Sequence, residues 1–325
     1  MHAQLSSQRL SWPDEIDEIL AGDLVVAVGS PTPQGGVVLN SVAPIGLRDR
    51  TAGTVGFTTS LGFGRKLERI AADPRIAVLY HTRQHGHCDR PGVVLVQGTA
   101  VVDAADSQAA RDRLRQQAAD HIGQVVEGRF WDRWLAVYYL DRVVIDITVQ
   151  RILCWPSGSV HDDPVVIGAA LPSEQPAPQT PPRDPETPRV AMRRLRRSIG
   201  KPHRLVGYLQ SDGMPCIVPL SGCSVDDAAV VMTADAPLLP PGGRRAGFLA
   251  HDFRAGFVGL STATHTGWLD VDQQARWTPH TRRGFIAPPN KTLLLLGNGA
   301  AARWGYRQAI RHGRDRIIEH ARVRS

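Results

Sequence analysis

The sequence is poor in cysteine and contains no long apolar run. Its 325 residues include only Cys88, Cys154, Cys216 and Cys223, whose scattered positions form no disulfide framework. The most apolar window, KTLLLLGNGAAA, is far too short to cross a bilayer, and the N-terminal segment lacks the basic and apolar regions of a signal peptide. We therefore expect reduced thiols, a cytoplasmic location and no membrane partner.

Aromatic residues make up only 6% of the chain, although the net charge is +7. The arginines concentrate in RVAMRRLRRSIGKPHR and ARWGYRQAIRHGRDR, and no aromatic-studded strand or recognition helix accompanies them. Nucleic acid is therefore not expected as a partner. Solvated helix faces and an anionic cofactor or substrate remain as the two explanations of the charge.

Proline is abundant in one segment, LPSEQPAPQTPPRDPETPRV, which holds seven prolines in twenty residues. Such a segment packs neither as a helix nor as a central strand and favours an extended spacer. We expect an N-terminal domain at 1–167, a linker at 168–189, and a C-terminal domain at 190–325 that ends in a basic helix.

The first domain reads as strands with helical insertions. Apolar segments such as DLVVAVGS, GGVVLNSVAP, GTVGFTTS, RIAVLYH and GVVLVQGTAVV precede RVVIDITVQRI, in which apolar and polar residues alternate strictly. Helices are expected at LGFGRKLERIAADPR, at Ser107–His121 and at Val126–Ala136. Six strands with few helices favour an antiparallel barrel over a doubly wound sheet.

Four segments of the first domain recur in the same order in the second. VGFTTS matches VVMTAD at 230–235, SVAP matches CIVP ending at Pro219, GRKLERIAADPRIAVL matches GRRAGFLAHDFRAGFV from Gly243, and VQGTAVV matches VDQQARW at 271–277. We expect an internal duplication, with two unrelated β-rich domains as the alternative.

A candidate anion site follows the third strand. Thr58, Thr59 and Ser60 end this strand, and a turn with two glycines leads to a helix whose first turn holds Arg65 and Lys66. The start of a helix presents free N–H groups and the positive end of its dipole, so basic residues there are unfavourable unless an anion binds. An arginine beside a lysine suits a phosphate group.

The run FTTS…GRKLERIAADPRIAVLYH followed by VLVQGTAVV resembles the pyridoxamine-5′-phosphate-oxidase-like superfamily of FMN-binding split barrels and their deazaflavin-dependent relatives. The resemblance covers about 20–155 well and the second half more weakly. It implies a mainly β fold with helices (α+β), built here as two tandem six-stranded antiparallel split barrels with peripheral helices. It also implies a flavin-dependent oxidoreductase that transfers hydride to or from a small organic substrate.

The same resemblance assigns roles to individual residues. Arg65 and Lys66 would hold the phosphate of FMN, with Thr58, Thr59 and Ser60 at the ribityl and phosphate oxygens. The segment Val42, Ala43 and Pro44 would meet the flavin ring, and Gln97 would reach the ring or the phosphate. As the alternative, the hydroxyl residues are ordinary strand-end residues, and Gln97 is a polar residue on one face of an alternating strand. We expect no metal and no catalytic side chain, because the flavin carries the hydride chemistry.

Departures from the family pattern leave several points open. The second copy has Thr233, Ala234 and Asp235 where the first has its hydroxyls, and an aspartate repels phosphate, so its site is expected to be degenerate. Family members are usually homodimers; a duplicated chain would form a pseudo-dimer by itself, with a homodimer as the further possibility. Deazaflavin instead of FMN, a non-catalytic flavin-binding barrel and a haem-binding barrel remain as alternatives.

The segment YHTRQHGHCDRPG holds four residues that can bind metals: His81, His85, His87 and Cys88. It lies between two predicted strands and ends in turn residues, which predicts a hairpin loop. A loop tip rarely supplies a closed set of four ligands. An exposed turn or a substrate-facing loop is therefore the expected role.

Overall fold

The computed structural model describes residues 9–60, 64–103, 114, 116–121, 128–140, 142–233 and 238–311. The first half contains helices α1 (Asp14–Gly22), α2 (Gly64–Ala72) and α3 (Arg129–Leu140), and strands β1 (Val26–Pro31), β2 (Val37–Val42), β3 (Arg48–Asp49), β4 (Thr54–Ser60), β5 (Arg75–Tyr80), β6 (Val93–Asp103), β7 (Arg142–Trp155) and β8 (Val165–Gly168). The second half contains α4 (Met192–Ile199), β9 (His203–Leu209), β10 (Pro215–Pro219), β11 (Gly222–Val225), β12 (Val230–Thr233), β13 (Gly242–Arg254), a 3₁₀ turn (Ala255–Phe257), β14 (Val258–Val271), β15 (Ala275–Ile286) and α5 (Lys291–Arg311).

The strands form two antiparallel sheets with the same strand order. The first sheet runs β2-β1-β5-β6-β7-β4-β3, with β8 added beside β7, and the second runs β10-β9-β13-β14-β15-β12-β11. Each strand of the second sheet therefore has a counterpart in the first. The predicted fold class, mainly β with peripheral helices in two tandem antiparallel units, is confirmed. Each unit has seven strands along its path instead of the predicted six, because of the short outer strands β3 and β11.

Local geometry repeats along with the strand order. The β1–β2 and β9–β10 hairpins have turns of equal length, with Gly35 and Gly213 at the same position and the same φ of 78°. The pairing of β6 with β7 shifts register before Gly98, and the pairing of β14 with β15 shifts before Gly267. A Cβ on either glycine would collide with a backbone carbonyl oxygen of the next strand, Thr148 or Thr278. Glycine is required at both shifts for this reason.

Two of the four predicted sequence matches between the halves are wrong. The segment from Gly243 is not a helix equivalent to α2: it is strand β13, whose counterpart is β5. The strand is paired on both sides and largely buried, so its near-continuous apolar residues show no strand period and resemble a buried helix. VDQQARW spans the turn from β14 to β15, whereas VQGTAVV lies within β6.

The other two matches fall on equivalent strands. VGFTTS and VVMTAD lie on β4 and β12, in the register that the sequence predicts through residue 233. SVAP and CIVP lie at the ends of β2 and β10, but the hairpin turns show that the true register differs from the predicted one by three residues, since Pro219 corresponds to Ser41. Of the predicted helix Ser107–His121, residues 107–113 and 115 lie outside the described part, and 116–121 are helical; the predicted helix Val126–Ala136 appears as α3.

The two halves pack against each other in a reciprocal way. Strand β2 contacts β13 and β14, and its counterpart β10 contacts β5 and β6. The largest apolar core spans this junction, where Leu39 of β2 and Ile217 of β10 are both buried. Leu39 and Ile217 occupy equivalent positions in their hairpins, so the junction has the pattern of an interface between two like subunits.

The Pro-rich segment, 171–190, contains neither helix nor strand and is docked onto both halves. The backbone N–H of Gln179 donates to the carbonyl oxygen of Gly243 at 2.8 Å, and its side-chain amide donates to that of Gly35 at 2.8 Å. Arg244, which is 2% exposed, donates to the carbonyl oxygens of Pro176 and Pro241. These bonds hold the segment across the junction.

The last helix of the second half packs on the first half. Arg303 of α5 lies over the ring of Trp134 in α3, 4.2 Å from its centroid, and donates to the Trp134 carbonyl oxygen at 2.6 Å. Gly299 makes room for this ring, because a Cβ there would collide with the indole. None of the helices in the described ranges combines the length and the apolar character that crossing a membrane requires.

Candidate functional site

The predicted hydroxyl and basic residues meet where β4 ends and α2 begins. Thr58, Thr59 and Ser60 form the last part of β4 and pair with β7. The side chain of Thr59 is buried, at 3% exposure, and its Oγ1 lies 3.4 Å from Nζ of Lys66 in the first turn of α2. The structure therefore joins the two parts of the predicted anion site through a hydroxyl–ammonium contact.

Arg65 differs from Lys66 in its surroundings. Its side chain is exposed, while the neighbouring Gly64 is buried at the start of the helix. Exposure leaves the Arg65 guanidinium accessible to a ligand from solvent. The predicted turn glycine Gly62 lies outside the described residues.

Two further arginines, which the sequence did not reveal, add positive charge here. Arg69 lies one turn after Arg65 on α2, and its pKa is lowered by burial and by the charge of Arg283 from β15 of the other half. Two guanidinium groups that come close enough to repel favour an anion between them. The i, i+4 spacing of Arg65 and Arg69 was a usable signal for the first residue, whereas only the packing of the halves brings Arg283 near.

The predicted ring-contacting segment is linked to one of the hydroxyl residues. Val42 ends the edge strand β2, and Ala43 packs beside a small apolar cluster that contains Ile45 and Val144. Val144 is the partner of Thr58 across the β4–β7 pairing. Successive side chains of a strand point to opposite faces, so this cluster and the Thr59–Lys66 contact lie on different faces of β4.

Backbone strain marks the same segment. Ile45 has a φ of 46°, in the left-handed region that a β-branched residue rarely adopts, and Gly46 follows with a φ of 67°. The turn is closed by a bond of 3.0 Å from the N–H of Leu47 to the carbonyl oxygen of Pro44. Strain of this kind is held by the surrounding structure and tends to occur at functional sites.

Gln97 has a different environment from the one predicted for it. Its side chain is fully buried at the junction, where Nε2 donates to Oε1 of Gln210 at 2.8 Å and to the carbonyl oxygen of Pro215 at 2.6 Å. Its Oε1 accepts a bond of 2.7 Å from Arg151. Both ends of the amide are thus engaged between the halves, and we leave Gln97 out of the candidate cofactor site.

The histidines of the loop after β5 separate into different environments. His85 packs edge-on against Phe253, and Nε2 of His87 donates to the carbonyl oxygen of His121 at 2.6 Å. Cys88 packs against Gly22. Over the described residues, no group of three or more His, Cys, Asp or Glu side chains has the arrangement of a metal site. All four cysteines are free thiols.

His81 instead reaches the junction between the halves. Its Nε2 lies 2.9 Å from Nε2 of His251, and the ring of His203 lies 5.6 Å away, centroid to centroid. The strand registers make His81 and His251 equivalent positions after and within β5 and β13. Two side chains at equivalent positions, His81 and His251, therefore contact each other at the junction between the halves.

In the described part of the second half, no helix takes the place of α2. Only residues 234–241 separate β12 from β13, whereas 61–74 separate β4 from β5 and contain α2. Arg244 and Arg245, which the sequence placed at a helix start, lie on a strand and bind the Pro-rich segment. Ala234 and Asp235 fall outside the described residues. The halves thus share a fold while differing at this position.

The solved structures that resemble this chain each cover less than half of its length. No family model matches, and no curated protein matches. Among solved structures, a conserved hypothetical protein from Mycobacterium tuberculosis is 16% identical, with 46% of this chain and 88% of that chain covered and a TM-score of 0.35. A protein from Clostridium acetobutylicum, described as related to a general stress protein and as a member of the pyridoxine phosphate oxidase family, is 12% identical, with 47% and 90% covered and a TM-score of 0.33. An F420 reductase is 18% identical, with 43% and 98% covered and a TM-score of 0.31.

Proposed function

We propose that this chain is an FMN-dependent oxidoreductase that transfers hydride to or from a small organic substrate. The observation that carries the proposal is the contact between Thr59 and Lys66 at the start of α2, beside the exposed Arg65. Hydroxyl, ammonium and guanidinium donors at a helix N-terminus are the donor set that a phosphate monoester prefers. FMN carries such a group at one end and an aromatic ring system at the other.

The surroundings of the cationic group fit the remainder of the same molecule. Val42 and Ala43 lie at the end of the edge strand β2, where a backbone group that is not paired with β1 could bond to a ring with hydrogen-bonding edges. Ala43 packs against the apolar cluster around Ile45 and Val144. A bound flavin would supply the hydride chemistry.

The roles of the protein residues follow from their positions. Lys66 and Arg65 would neutralise the phosphate, and the hydroxyl groups of Thr58, Thr59 and Ser60 would donate to its oxygens. Arg283 of β15 would add a positive charge from the second half, since its charge already acts on Arg69.

A deazaflavin cofactor is the second candidate, and one observation favours it. Arg69 and Arg283 place two more positive charges between the halves, beyond those that a single phosphate requires. A cofactor with a longer anionic tail would use these charges. Both cofactors would use the candidate anion site at the start of α2, and only the deazaflavin would require Arg283.

The test begins with the protein as purified. We expect a yellow protein whose cofactor, released by denaturation, has the mass of FMN. The apoprotein is then titrated with FMN, and flavin fluorescence reports binding. Arg65→Gln should weaken binding by about tenfold or more, because one charge-assisted bond to phosphate is lost.

Arg193→Gln is the matched control, because Arg193 is also an exposed arginine in the second position of a helix, α4. It should bind FMN as the wild type does. A released cofactor with the mass of a deazaflavin, together with weaker deazaflavin binding by Arg283→Gln, would support the second candidate. Failure of the apoprotein to bind either molecule, or equal effects of Arg65→Gln and Arg193→Gln, would refute the proposed site. Bound cofactor without turnover across electron donors and acceptors would refute the enzymatic part.

A further inference from the structure

The turns of the two equivalent hairpins each rest on the opposite half of the molecule. The third residue of the turn is Gln34 in the β1–β2 hairpin and Asp212 in the β9–β10 hairpin. The strands that receive these turns carry equivalent arginines, Arg245 of β13 and Arg75 of β5, as their pairing with β14 and β6 shows. The two contacts can therefore be compared residue by residue.

At the contact made by the β9–β10 turn, two carboxylates neutralise the arginines: Asp73 pairs with Arg75, and Asp212 pairs with Arg151. Oδ2 of Asp212 lies 2.8 Å from Nη2 of Arg151, which is buried. The guanidinium of Arg75 lies against Gly213 of the same turn, and the charge of Asp212 contributes to raising the pKa of Arg75, after the larger effect of Asp73.

At the contact made by the β1–β2 turn, the same place is a cavity of about 190 Å³. Neutral residues replace most of the network: Gln34 stands for Asp212, Thr266 for Gln97 and Thr281 for Arg151. Arg245 is retained and lines the cavity together with Pro182 of the Pro-rich segment. Its equivalent Arg75 is paired with Asp73, and the Arg151–Asp212 pair of the other contact is replaced here by the neutral Thr281 and Gln34. Arg245 therefore faces the cavity without a carboxylate among the described residues that line it.

The cavity is positively charged. None of the described residues that line it is an aspartate or a glutamate. Nη1 of Arg245 makes only long bonds to two neutral oxygens, 3.5 Å to Oε1 of Gln179 and 3.4 Å to the carbonyl of Thr180. The pKa of His280, on the cavity wall, is lowered first by burial and then by the charges of Arg189 and Arg245.

A hydroxyl hydrogen is also available in the cavity. Oγ1 of Thr281 accepts a bond of 3.3 Å from the N–H of Thr266, and the two hydroxyl oxygens are 2.6 Å apart. Thr281 can donate its own hydrogen to Thr266 in this arrangement. The hydrogen of Thr266, whose residue lines the cavity, is then free to donate to a ligand.

We propose that this cavity binds a small oxyanion, a carboxylate or phosphate group, held by Arg245 and the Thr266 hydroxyl in the place that the Asp212 carboxylate takes at the equivalent contact. The size of the cavity limits the bound part to a group of a few heavy atoms. The site lies on other elements than α2 and β4, so it stands or falls separately from the proposed cofactor site.

The experiment uses acetate, which reproduces the end of an aspartate side chain, and inorganic phosphate as the second probe. The wild-type protein is titrated with each in a chloride buffer, and backbone amide chemical shifts are followed by NMR. We expect saturable shifts at Gly36 and Thr266, and none with acetamide, which has a similar shape without the charge. Saturation by only one probe identifies the bound group.

Gln34→Asp supplies the missing internal carboxylate, and Gln34→Asn is its neutral control of the same length. The aspartate should pair with Arg245, raise the melting temperature and weaken probe binding by about tenfold or more relative to the asparagine variant. Arg245→Gln should abolish binding. The proposal is overturned if neither probe binds with saturation, or if Gln34→Asp and Gln34→Asn bind the probes equally.

Discussion

His81 provides a sensitive test of the junction between the halves. Its Nδ1 lies 3.1 Å from the carbonyl oxygen of Leu79, which only accepts, so the ring hydrogen is on Nδ1 and Nε2 accepts from Nε2–H of His251. Protonation of His81 would force His251 to move its hydrogen to Nδ1, which is buried and has no hydrogen-bond partner in the described part of the chain. Burial, followed by the charge of His203, lowers the pKa of His81 to about 3.

The sign of the pH dependence follows from this lowered pKa. A histidine in the unfolded chain takes up a proton near pH 6.5, whereas His81 in the folded protein stays neutral at this pH. The stabilisation from neutral His81 is therefore complete above about pH 6.5 and is lost as the pH falls from there towards about 3. Each pH unit in this window removes about 1.4 kcal/mol of unfolding free energy, or about 3 kcal/mol between pH 6.5 and 4.5.

Other groups titrate in the same window, so the test compares variants. His251 also has a lowered pKa, from burial and from the charges of His81, His203 and Lys201. Burial raises the pKa of Asp23 to about 6, and its protonation in the folded state offsets part of the loss. Only the difference in slope between wild type and a variant isolates His81.

The assay is urea unfolding at pH 7.5, 6.5, 5.5 and 4.5. We expect His81→Gln to reduce the slope of unfolding free energy against pH by up to about 1.4 kcal/mol per unit below pH 6.5. Tyr80→Phe is the control: it removes a buried hydroxyl next to His81 without removing a group that titrates in this range, and it should keep the wild-type slope. Equal slopes for His81→Gln and the wild type would refute the reasoning.

Three more substitutions test the architecture. Alanine at Gly98 or Gly267 should lower the melting temperature and cost about 2 kcal/mol or more of unfolding free energy, because its Cβ meets a backbone oxygen. Alanine at Gly297, which has open space on helix α5, is the control and should be neutral or stabilising. Similar melting temperatures for all three variants would contradict the register-shift argument. Asp212→Asn should destabilise the protein by about 1–3 kcal/mol in chemical denaturation, because buried Arg151 loses its counter-charge, and an unchanged midpoint would show that this pair contributes little.

Much of the fold was accessible from the sequence because it depends on local pattern. The alternation in β7, the apolar runs of β1, β5 and β6, and the amphipathic spacing of α2 each identify an element without reference to the rest of the chain. Strand β13 was misread for the complementary reason. A strand buried on both faces has no period of two, and only its pairing with β9 and β14 distinguishes it from a helix.

The candidate site divides in the same way. Thr59 and Lys66 are seven residues apart and belong to one strand–turn–helix unit, so their proximity could be predicted. Gln97 lies on a predicted strand face, but that face turned out to be the junction with the other half. Arg283 is far from α2 in the sequence, and no local signal relates the two.

The sequence by itself therefore predicted most of the elements and the positive helix start, since these rest on interactions between neighbours along the chain. The tertiary structure decided how the two similar halves meet, and with it the His81–His251 contact, the buried Gln97–Arg151 network and the cavity beside Arg245. All three features lie at the junction and include residues from both halves. Their chemistry depends on burial and on charges across the junction, which a linear pattern does not contain.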